Sequence, residues 1–576
     1  MRADFEHYRE NGGIARPADA LDIFIAYSPE SQQYMPGLIE RFNRASVEDG
    51  VNPATGAPWG EGERPVYVRG QQPTSGSSGS LAQGVINAFI APGNAQVYHP
   101  TILQPSVSHW LALVNYSTGR EVLDLAASQP TALSPVVIGM WESRVRAIQQ
   151  TIGRESIGWD DLLGVLNSPN GWCDYGIPEG QCRRAVYYGH TDPNISSTGL
   201  STTIAEFYAC ARENGFTDRL TTQAVNDAEV QACVRGIEAL VRHYSRRTED
   251  FLEYFSRGPE YLDFLALEET DLICLNRGAQ QGDEVCRRPQ ERLIAIYPEE
   301  GTFWHEHPFA VVNGDWVTDQ MRAAAGIFTA FVLLPESQQT IMAEGFRPAN
   351  PDVPLAFPFT AENGVDVNQP RAVLSVPAPE VIAAIQASWS VVKKQADVVM
   401  LIDTSGSMED EDRIGQARAA AEAFMNAMDS GNRVALWTFS DELLERVPLD
   451  NAESARQAMY SNIRSLRASG GTELFYAVEQ TVRALTAEDD ESRIRAVIVL
   501  SDGADTGSRG VTLNDAVNAI AASAESANPV IVIPVAYGSS ADMNALGALA
   551  RASDTSVQSG GSEDIDDILQ LLSSFF

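Results

Sequence analysis

Five oxygen-bearing side chains in the C-terminal third of the chain could together hold a divalent cation. The segment VVMLIDTSGSM places Asp403, Ser405 and Ser407 at the end of an apolar, strand-like run. Thr472 stands in SGGTEL before a helical stretch, and Asp502 follows the apolar run AVIVL. Parallel strands end at one edge of an open α/β sheet, where such folds bind their ligands. Hydroxyl and carboxylate oxygens suit Mg²⁺ that keeps several of its waters.

Alternating strand-like and helical segments must position these side chains. Further β-branched and aromatic runs predict strands at Asn432–Phe439, Arg495–Leu500 and Val530–Ala536. Apolar residues at helical spacing predict helices between them, at Arg413–Met428, Leu474–Leu485 and Leu513–Ala524. This alternation predicts a parallel sheet covered by helices on both faces.

The three polar motifs also carry a family resemblance. DTSGSM, GGT and SDG, in this order, resemble the metal-ion-dependent adhesion site of von Willebrand factor A domains. The resemblance implies that Ser405 and Ser407 bind Mg²⁺ directly, Thr472 directly or through water, and Asp403 and Asp502 mainly through water. Ca²⁺ or Mn²⁺ is possible in its place. The resemblance also implies an open coordination position for an acidic side chain of a protein partner. The alternative is an ordinary nucleotide-binding sheet with polar loops.

Length and charge limit the classes of function. A chain of 576 residues is too long for one core and suggests about three to four domain-sized units. A formal net charge of -36 disfavours nucleic acid and anionic lipid, which bind basic patches. Only two of the 41 basic residues are lysines, Lys393 and Lys394, and neither follows a glycine loop. A P-loop ATPase is therefore excluded.

The cysteines favour an oxidising compartment. Their number is even, six, and all lie in the middle of the chain. Six cysteines allow 15 pairings, and sequential pairing would close three short loops. Zinc is the competing interpretation, but no CxxC pair occurs. We therefore expect the protein to be exported from the cytoplasm. The residues expected to form disulfides are Cys173, Cys182, Cys210, Cys233, Cys274 and Cys286.

The sequence contains no signal for membrane insertion. No apolar stretch approaches the ~20 residues that span a bilayer, and MRADFEHYRENGG lacks the apolar core of a signal peptide. We therefore expect contact with a membrane only through a signal or anchor outside this sequence. The expected location is secreted or on the cell surface.

Three hydroxyl-rich loops in the first 350 residues each join a strand-like run to a helical stretch. They contain Ser28; Ser77 and Ser78; and Ser197 and Thr198. Free backbone N–H groups at helix N-termini attract anions and polar oxygens, so converging loops would form a small-ligand cleft. Ordinary N-capping is the alternative for each loop.

The same region resembles a two-lobed bacterial extracytoplasmic solute-binding protein of type II. The resemblance rests on YSPESQQYMPGLIERFN, GHTDPNISSTGLSTTIAEFY, ERLIAIYPEEGTFWHEHPFAVV and FVLLPESQQTIMAEGFRPANP. It implies two lobes that close like a hinge on a small molecule or peptide. None of the three loops contains an arginine, so phosphate is not the expected solute. The ligand contacts that the resemblance implies are Ser28, Ser77, Ser78, Ser197, Thr198 and Tyr297.

These observations predict an α/β chain with a two-lobed, periplasmic-binding-protein-like module before a doubly wound, Rossmann-like von Willebrand factor A domain. The predicted function is binding rather than catalysis: small-ligand recognition in the cleft and Mg²⁺-dependent adhesion through the A domain. The competing hypothesis is a solute receptor of an ABC-type transport system with the A domain as an accessory. The predicted boundaries are an extension (1–17), the two-lobed module (18–350), a linker with a docking helix (351–392) and the A domain (393–576).

Overall fold

The structure is a computed structural model, and it describes most of the chain. The described residues are 13–71, 77–93, 97–178, 182, 186–216, 219–245, 247–255, 258–259, 262–278, 286–488, 490, 492–502, 505–524, 529–537, 541–553, 555 and 557–559. Most of the predicted N-terminal extension, residues 1–17, lies outside these ranges.

The contacts within the chain define two compact units. The first unit contains Met1–Cys182, Tyr188–Val234 and Arg246–Ser388. The second contains Arg183–Tyr187, Arg235–Ser245 and Trp389–Phe576. No helix of the described part of the chain combines the length and the apolar character that crossing a bilayer requires.

Helices and short strands alternate through the first two thirds of the chain. The helices are α1 Met35–Asn43, α2 Ser78–Ile90, α3 His109–Thr118, α4 Glu142–Ile152, α5 Trp159–Leu166, α6 Ser197–Glu213, α7 Thr222–Val225, α8 Ala228–Glu238, α9 Thr248–Phe255, α10 Glu269–Arg277, α11 Asp319–Val332, α12 Pro335–Ala343 and α13 Pro379–Val392. The strands are β1 Leu21–Tyr27, β2 Val66–Gln71, β3 Ile102–Gln104, β4 Gln129–Pro130, β5 Ala132–Trp141, β6 Tyr188–Thr191, β7 Val241–Ser245, β8 Phe264–Glu268, β9 Leu293–Ile296, β10 Trp304–His305, β11 Pro308–Val311 and β12 Arg347–Pro348.

Two mixed sheets organise the first unit. One has the strand order β2-β1-β3-β11-β4, in which β1 is parallel to β2 and β3 while β11 is antiparallel to β3 and β4. The other is built around β5, which pairs antiparallel with β8, β9, β10 and β12, and β6 is parallel to β8. The chain passes between the sheets at two short crossings, which are hydrogen-bonded to each other: Thr131 Oγ1 donates to the carbonyl of His307 at 2.6 Å.

Buried residues of β1 place the core of the first sheet. Ile23 and Ile25 of β1 are fully buried and pack with Phe42 of α1 and Phe328 of α11. The rings of Phe42 and Phe328 meet edge to face with centroids 5.0 Å apart. Two helices are thereby fixed on one face of the sheet, and the loop that precedes α1 is held at the end of β1.

The predicted linker segment contacts the first unit over much of its length. Asn276 Nδ2 donates to the carbonyl of Asn363 at 3.0 Å, and the backbone N–H of Thr302 donates to the carbonyl of Ala372 at 3.3 Å. The predicted docking helix is present as α13, Pro379–Val392.

All six cysteines form disulfides, in the sequential pairing. The bonds join residues that are 9, 23 and 12 positions apart in the sequence. There is no free cysteine in the described part of the chain. The prediction of disulfides is confirmed, with the pairs Cys173–Cys182, Cys210–Cys233 and Cys274–Cys286.

The second unit contains a six-stranded sheet, and helices alternate with its strands along the sequence. Its strand order is β15-β14-β13-β16-β17-β18. The strands are β13 Ala396–Asp403, β14 Arg433–Phe439, β15 Leu443–Asn451, β16 Ile494–Ser501, β17 Val530–Ala536 and β18 Gln558–Ser559. The helices are α14 Arg413–Ala427, α15 Ala452–Ser465, α16 Leu474–Thr486, α17 Leu513–Ala524 and α18 Met543–Ala552.

The central strand β13 is buried on both faces. Val399 and Leu401 pack in one core with residues of α16, α17 and α18, and the alternate residues Val398 and Met400 are buried as well. A strand covered on both faces is an unbroken apolar run, which is why this segment could be recognised in the sequence. The α/β prediction is confirmed, whereas the two-lobed, binding-protein-like character of the first unit stays a prediction.

One edge strand departs from the predicted parallel sheet. β15 pairs antiparallel with β14, and only three residues, 440–442, connect the two strands. A parallel pair needs a crossover of a dozen or more residues, so this short connection permits only antiparallel pairing.

Candidate functional site

The two predicted aspartates lie at the same edge of the second unit's sheet. Asp403 is the last residue of β13 and Asp502 follows β16, and these strands are adjacent, with Ile402 paired to Leu500. Asp403 Oδ1 accepts the backbone N–H of Ser405 at 2.8 Å. The local turn and the strand register therefore aim this carboxylate toward the loops at the end of the sheet.

The two predicted serines lie together in the loop after β13. The Ser405 and Ser407 hydroxyl oxygens are 3.1 Å apart. Ser405 is buried and Ser407 is half-buried. A short 3₁₀ segment, Gly406–Asp412, begins directly after Ser405 and turns the chain toward α14.

The loop that carries Thr472 docks on the loop that carries the serines. The backbone N–H of Ser469 donates to the carbonyl of Thr404 at 2.7 Å, and the N–H of Gly406 donates to the carbonyl of Gly470 at 2.9 Å. Gly470 has a φ of 86°, and a Cβ there would collide with the Asp441 carboxylate, so only glycine fits. The structure thus brings all five predicted residues to one edge of the sheet, from three loops.

Burial makes negative charge unfavourable at this edge of the sheet. Asp403 is 0% and Asp502 3% exposed. Burial raises the pKa of Asp403 to about 6, the hydrogen bonds from Ser405 and Ser501 oppose this rise, and the nearby Asp502 carboxylate adds to it. Hard hydroxyl and carboxylate oxygens around two buried acids form a donor set that fits Mg²⁺.

Two further residues at this edge were missed from the sequence. Ser501 Oγ donates to Asp403 Oδ2 at 2.6 Å, and Arg413 Nη1 donates to Asp502 Oδ2 at 3.2 Å. Ser501 precedes Asp502 within the quoted SDG motif, so the motif contained a signal for it. Arg413 is the first residue of α14, and nothing in its sequence position shows which carboxylate it meets.

In the first unit, the structure brings the first two serine loops together through one shared residue. Ser78 and Ser106 have hydroxyl oxygens 3.1 Å apart, and Ser106 Oγ donates to Glu30 Oε2 at 2.9 Å. Glu30 belongs to the loop of Ser28, whose hydroxyl lies 3.4 Å from that of Ser31. All of these side chains are buried, so the two loops form one polar cluster inside the unit.

The third loop touches the second through its backbone. The N–H of Gly79 donates to the carbonyl of Ile195 at 2.8 Å. Ser197 Oγ accepts the indole N–H of Trp110 at 3.0 Å, and Thr198 Oγ1 accepts the hydroxyl of Thr248 at 3.3 Å. Ser77 is buried next to this contact.

Tyr297 lies in a different group of residues. Its hydroxyl donates to the Glu269 carboxylate, which also binds Arg347. Burial, followed by the charge of Glu269, raises the pKa of Tyr297, so the phenol is a neutral donor. Tyr297 also lines a cavity of 570 Å³ with Gln149 and Arg371.

Glu268 binds two histidines at the crossing between the two sheets. His305 Nδ1 lies 2.7 Å from Glu268 Oε1 and His307 Nε2 lies 3.2 Å from Oε2. Burial alone would raise the pKa of Glu268, but the charges of His307 and His305 lower it to about 2. Ser31, 3.4 Å from His307, and Ser201, 2.9 Å from His305, continue the network on either side. Sequence spacing alone did not indicate Glu268.

His109, the first residue of α3, is a buried neutral histidine near this network. It is 0% exposed, its ring meets Phe303 at 5.0 Å, and neither ring nitrogen has a hydrogen-bond partner among the described residues. Burial and, to a smaller extent, His305 lower its pKa to about 3. Below about pH 6.5, the usual pKa of histidine, His109 binds a proton in the unfolded chain but stays neutral in the folded chain. The free energy of unfolding therefore falls as the pH falls.

We expect the variant His109→Phe to be more stable than wild type at pH 5 by about 2 kcal/mol. This value is about 1.36 kcal/mol for each of the roughly 1.5 pH units between the usual pKa of histidine and pH 5. At pH 8 the phenylalanine should differ little, because both rings are then uncharged. Urea unfolding at the two pH values measures the difference. His99→Phe, at an exposed histidine that contacts Trp316, is the matched control and should show no such pH dependence. Equal effects in both variants would contradict the assignment.

Comparison with known proteins finds a family match within the second unit. A family model described as von Willebrand factor type A domain matches residues 397–570. A mouse calcium-activated chloride channel regulator, 3A-1, is 29% identical over 126 residues, which cover 21% of this chain and 14% of that protein. An uncharacterized Mycobacterium tuberculosis protein is 24% identical over 511 residues, or 84% of this chain and 68% of that protein.

Solved structures match about a third of the chain. A von Willebrand factor type A protein from Catenulispora acidiphila is 21% identical, covering 32% of this chain and 43% of that chain with a TM-score of 0.28. The pilus adhesin SpaC from Lactobacillus rhamnosus GG is 18% identical, covering 31% of this chain and 30% of that chain with a TM-score of 0.27. The family model, together with the strand order of the six-stranded sheet and the helices between its strands, supports a von Willebrand factor type A domain at residues 397–570.

Proposed function

We propose that the A domain binds a protein partner through a divalent cation, most simply Mg²⁺. Von Willebrand factor A domains typically bind a divalent metal. The observation that carries the proposal is the meeting of three loops at the edge of β13 and β16. In this proposal Ser405, Ser407 and Thr472 bind the ion with their hydroxyls, and Asp403 and Asp502 contact it mainly through water.

The chemistry of this proposal is binding rather than catalysis. A bound Mg²⁺ would supply a positive charge with an exchangeable coordination position, which suits a carboxylate of a partner. The protein itself carries a net charge of -36, so without the ion it repels an acidic partner. The three disulfides fit a location outside the cytoplasm, where such a partner would be a surface or secreted protein.

A carboxylate surface tests the proposal directly. We expect the full chain to be retained on immobilised poly-L-glutamate in excess MgCl₂, and to be released by EDTA. Poly-L-glutamine is the matched surface, because it keeps the side-chain length without the charge. Ser405→Ala removes one metal-binding hydroxyl and leaves the net charge unchanged, and it should reduce retention at least tenfold. Retention that persists in EDTA, or in Ser405→Ala, would overturn the proposal.

Solute recognition by the first unit is a second candidate function. It is supported by the buried polar cluster in which the loops that carry Ser28, Ser78 and Ser197 meet. It is also supported by the two hydrogen-bonded crossings between the sheets of the first unit. Crossings of this kind would act as a hinge between two lobes. The proposed ligand is a small molecule or peptide, and delivery of that solute to a membrane permease is the alternative role.

A further inference from the structure

Arg413 places a permanent positive charge inside the proposed metal site. Its side chain is only 6% exposed. Nη1 lies 3.2 Å from Asp502 Oδ2 and 3.5 Å from the carbonyl oxygen of Ser407. The guanidinium therefore touches two of the five residues proposed to hold the ion.

This contact stabilises the site when no metal is bound. Asp403 and Asp502 are both almost fully buried, and buried carboxylates are costly unless a positive charge is near. Arginine keeps its charge across the physiological pH range, so this compensation is present whenever the carboxylates are ionised. The guanidinium would repel a divalent ion bound to the same oxygens, because solvent screens charges only weakly at this buried site.

A second carboxylate lies on the outer side of the same guanidinium. Glu411 Oε2 is 3.6 Å from Arg413 Nη2, and the Glu411 side chain is 63% exposed. Glu411 and Asp412 have φ values of 54° and 56°, a left-handed conformation that is uncommon for residues other than glycine. The Asp412 carboxylate packs against Gly415, where a Cβ would collide with it. This unusual turn is what brings Glu411 beside Arg413.

We propose that Arg413 is a resident cation that competes with the divalent metal for Asp502, and that it leaves Asp502 for a closer contact with Glu411 when the metal binds. The inference rests on the proposed function and adds its regulation. Arg413 lowers the affinity for the metal and keeps the metal-free loops in place. Glu411 favours the metal-bound state by providing the displaced guanidinium with a partner.

Titration of MgCl₂ into the full chain by calorimetry tests this exchange. Arg413→Gln should bind Mg²⁺ at least tenfold more tightly than wild type. Arg418→Gln removes the same charge from the same helix at a half-buried position, and should change the affinity less than twofold. If Mg²⁺ binds wild type and Arg413→Gln equally, or binds the variant more weakly, the competition is refuted and Arg413 is a supporting residue.

An exposed variant keeps the test independent of folding. Glu411→Gln should weaken Mg²⁺ binding about threefold, while Glu409→Gln, a neighbour in the same acidic run, should stay within twofold. In the Arg413→Gln background the effect of Glu411→Gln should vanish, because no guanidinium remains to be accommodated. An effect of the same size in both backgrounds would refute the exchange. No binding to wild type and no binding to Arg413→Gln would instead refute the metal site itself.

Discussion

Mg²⁺ is expected to raise the free energy of unfolding of the A domain by about 2.7 kcal/mol at a concentration 100-fold above its Kd, and Asp403→Ala should abolish this increase. The reason is that a ligand that binds only the folded state stabilises that state by mass action. Asp403 is central to the edge because it accepts the backbone N–H of Ser405 and the hydroxyl of Ser501, and so holds the serine loop. Thermal unfolding of the full chain, with MgCl₂ or with EDTA, measures the increment.

The increment separates metal binding from ordinary destabilisation. Asp403→Ala also changes the stability of the metal-free protein, but that change is present in both conditions and cancels. Asp450→Ala is the matched control: Asp450 is exposed and pairs with Val434, at the opposite end of β14 from Phe439, the partner of Asp403. It should keep the full increment. An increment that survives in Asp403→Ala would mean that the ion binds elsewhere.

Arg347→Met is expected to lower the free energy of unfolding of the first unit by about 3–5 kcal/mol. Arg347 is 8% exposed and binds Glu269 through two hydrogen bonds, both 2.7 Å long. Methionine keeps much of the packing against Trp304, which lies 5.3 Å below the guanidinium. It leaves the Glu269 carboxylate buried, in contact with the Tyr297 hydroxyl but without the positive charge of the guanidinium. In urea, the midpoint of the first unit should fall by roughly 1 M or more.

Two further variants assign the loss to the ion pair. In the double variant Arg347→Met, Glu269→Leu, no charge is left buried, so we expect a large part of the stability to return. Arg146→Met removes an exposed arginine that pairs with Glu142 and should cost less than about 1 kcal/mol, as exposed ion pairs do. If the double variant is no more stable than the single one, lost packing rather than the unpaired carboxylate causes the effect.

Local sequence was enough to predict much of the A domain. The strand Val530–Ala536 and the helix Leu513–Ala524 have the predicted bounds, and β13 ends at Asp403 as expected. These elements are recognisable because a strand buried on both faces must be apolar throughout, and because a polar residue that follows it marks the sheet edge. The antiparallel strand β15 was missed, since its exposed and buried residues mix without a clear period.

Contacts between distant residues could not be predicted in this way. Ser501 lies 98 positions from Asp403 and Arg413 lies 89 positions from Asp502, yet each pair is hydrogen-bonded. In the first unit, Glu268 joins two histidines that the sequence shows only as a closely spaced pair. Which charges meet depends on strand register and loop docking, which no single segment encodes.

The sequence by itself determined which oxygen-bearing side chains stand at the ends of apolar strands and which six cysteines are available for disulfides. Both follow from residue type and spacing, because strand burial and turn formation are local. Only the tertiary structure decided that Arg413 contacts Asp502 and that the serine loops of the first unit form one buried cluster. Charge interactions and burial depend on distances through space, and those distances are set by the packing of the whole unit.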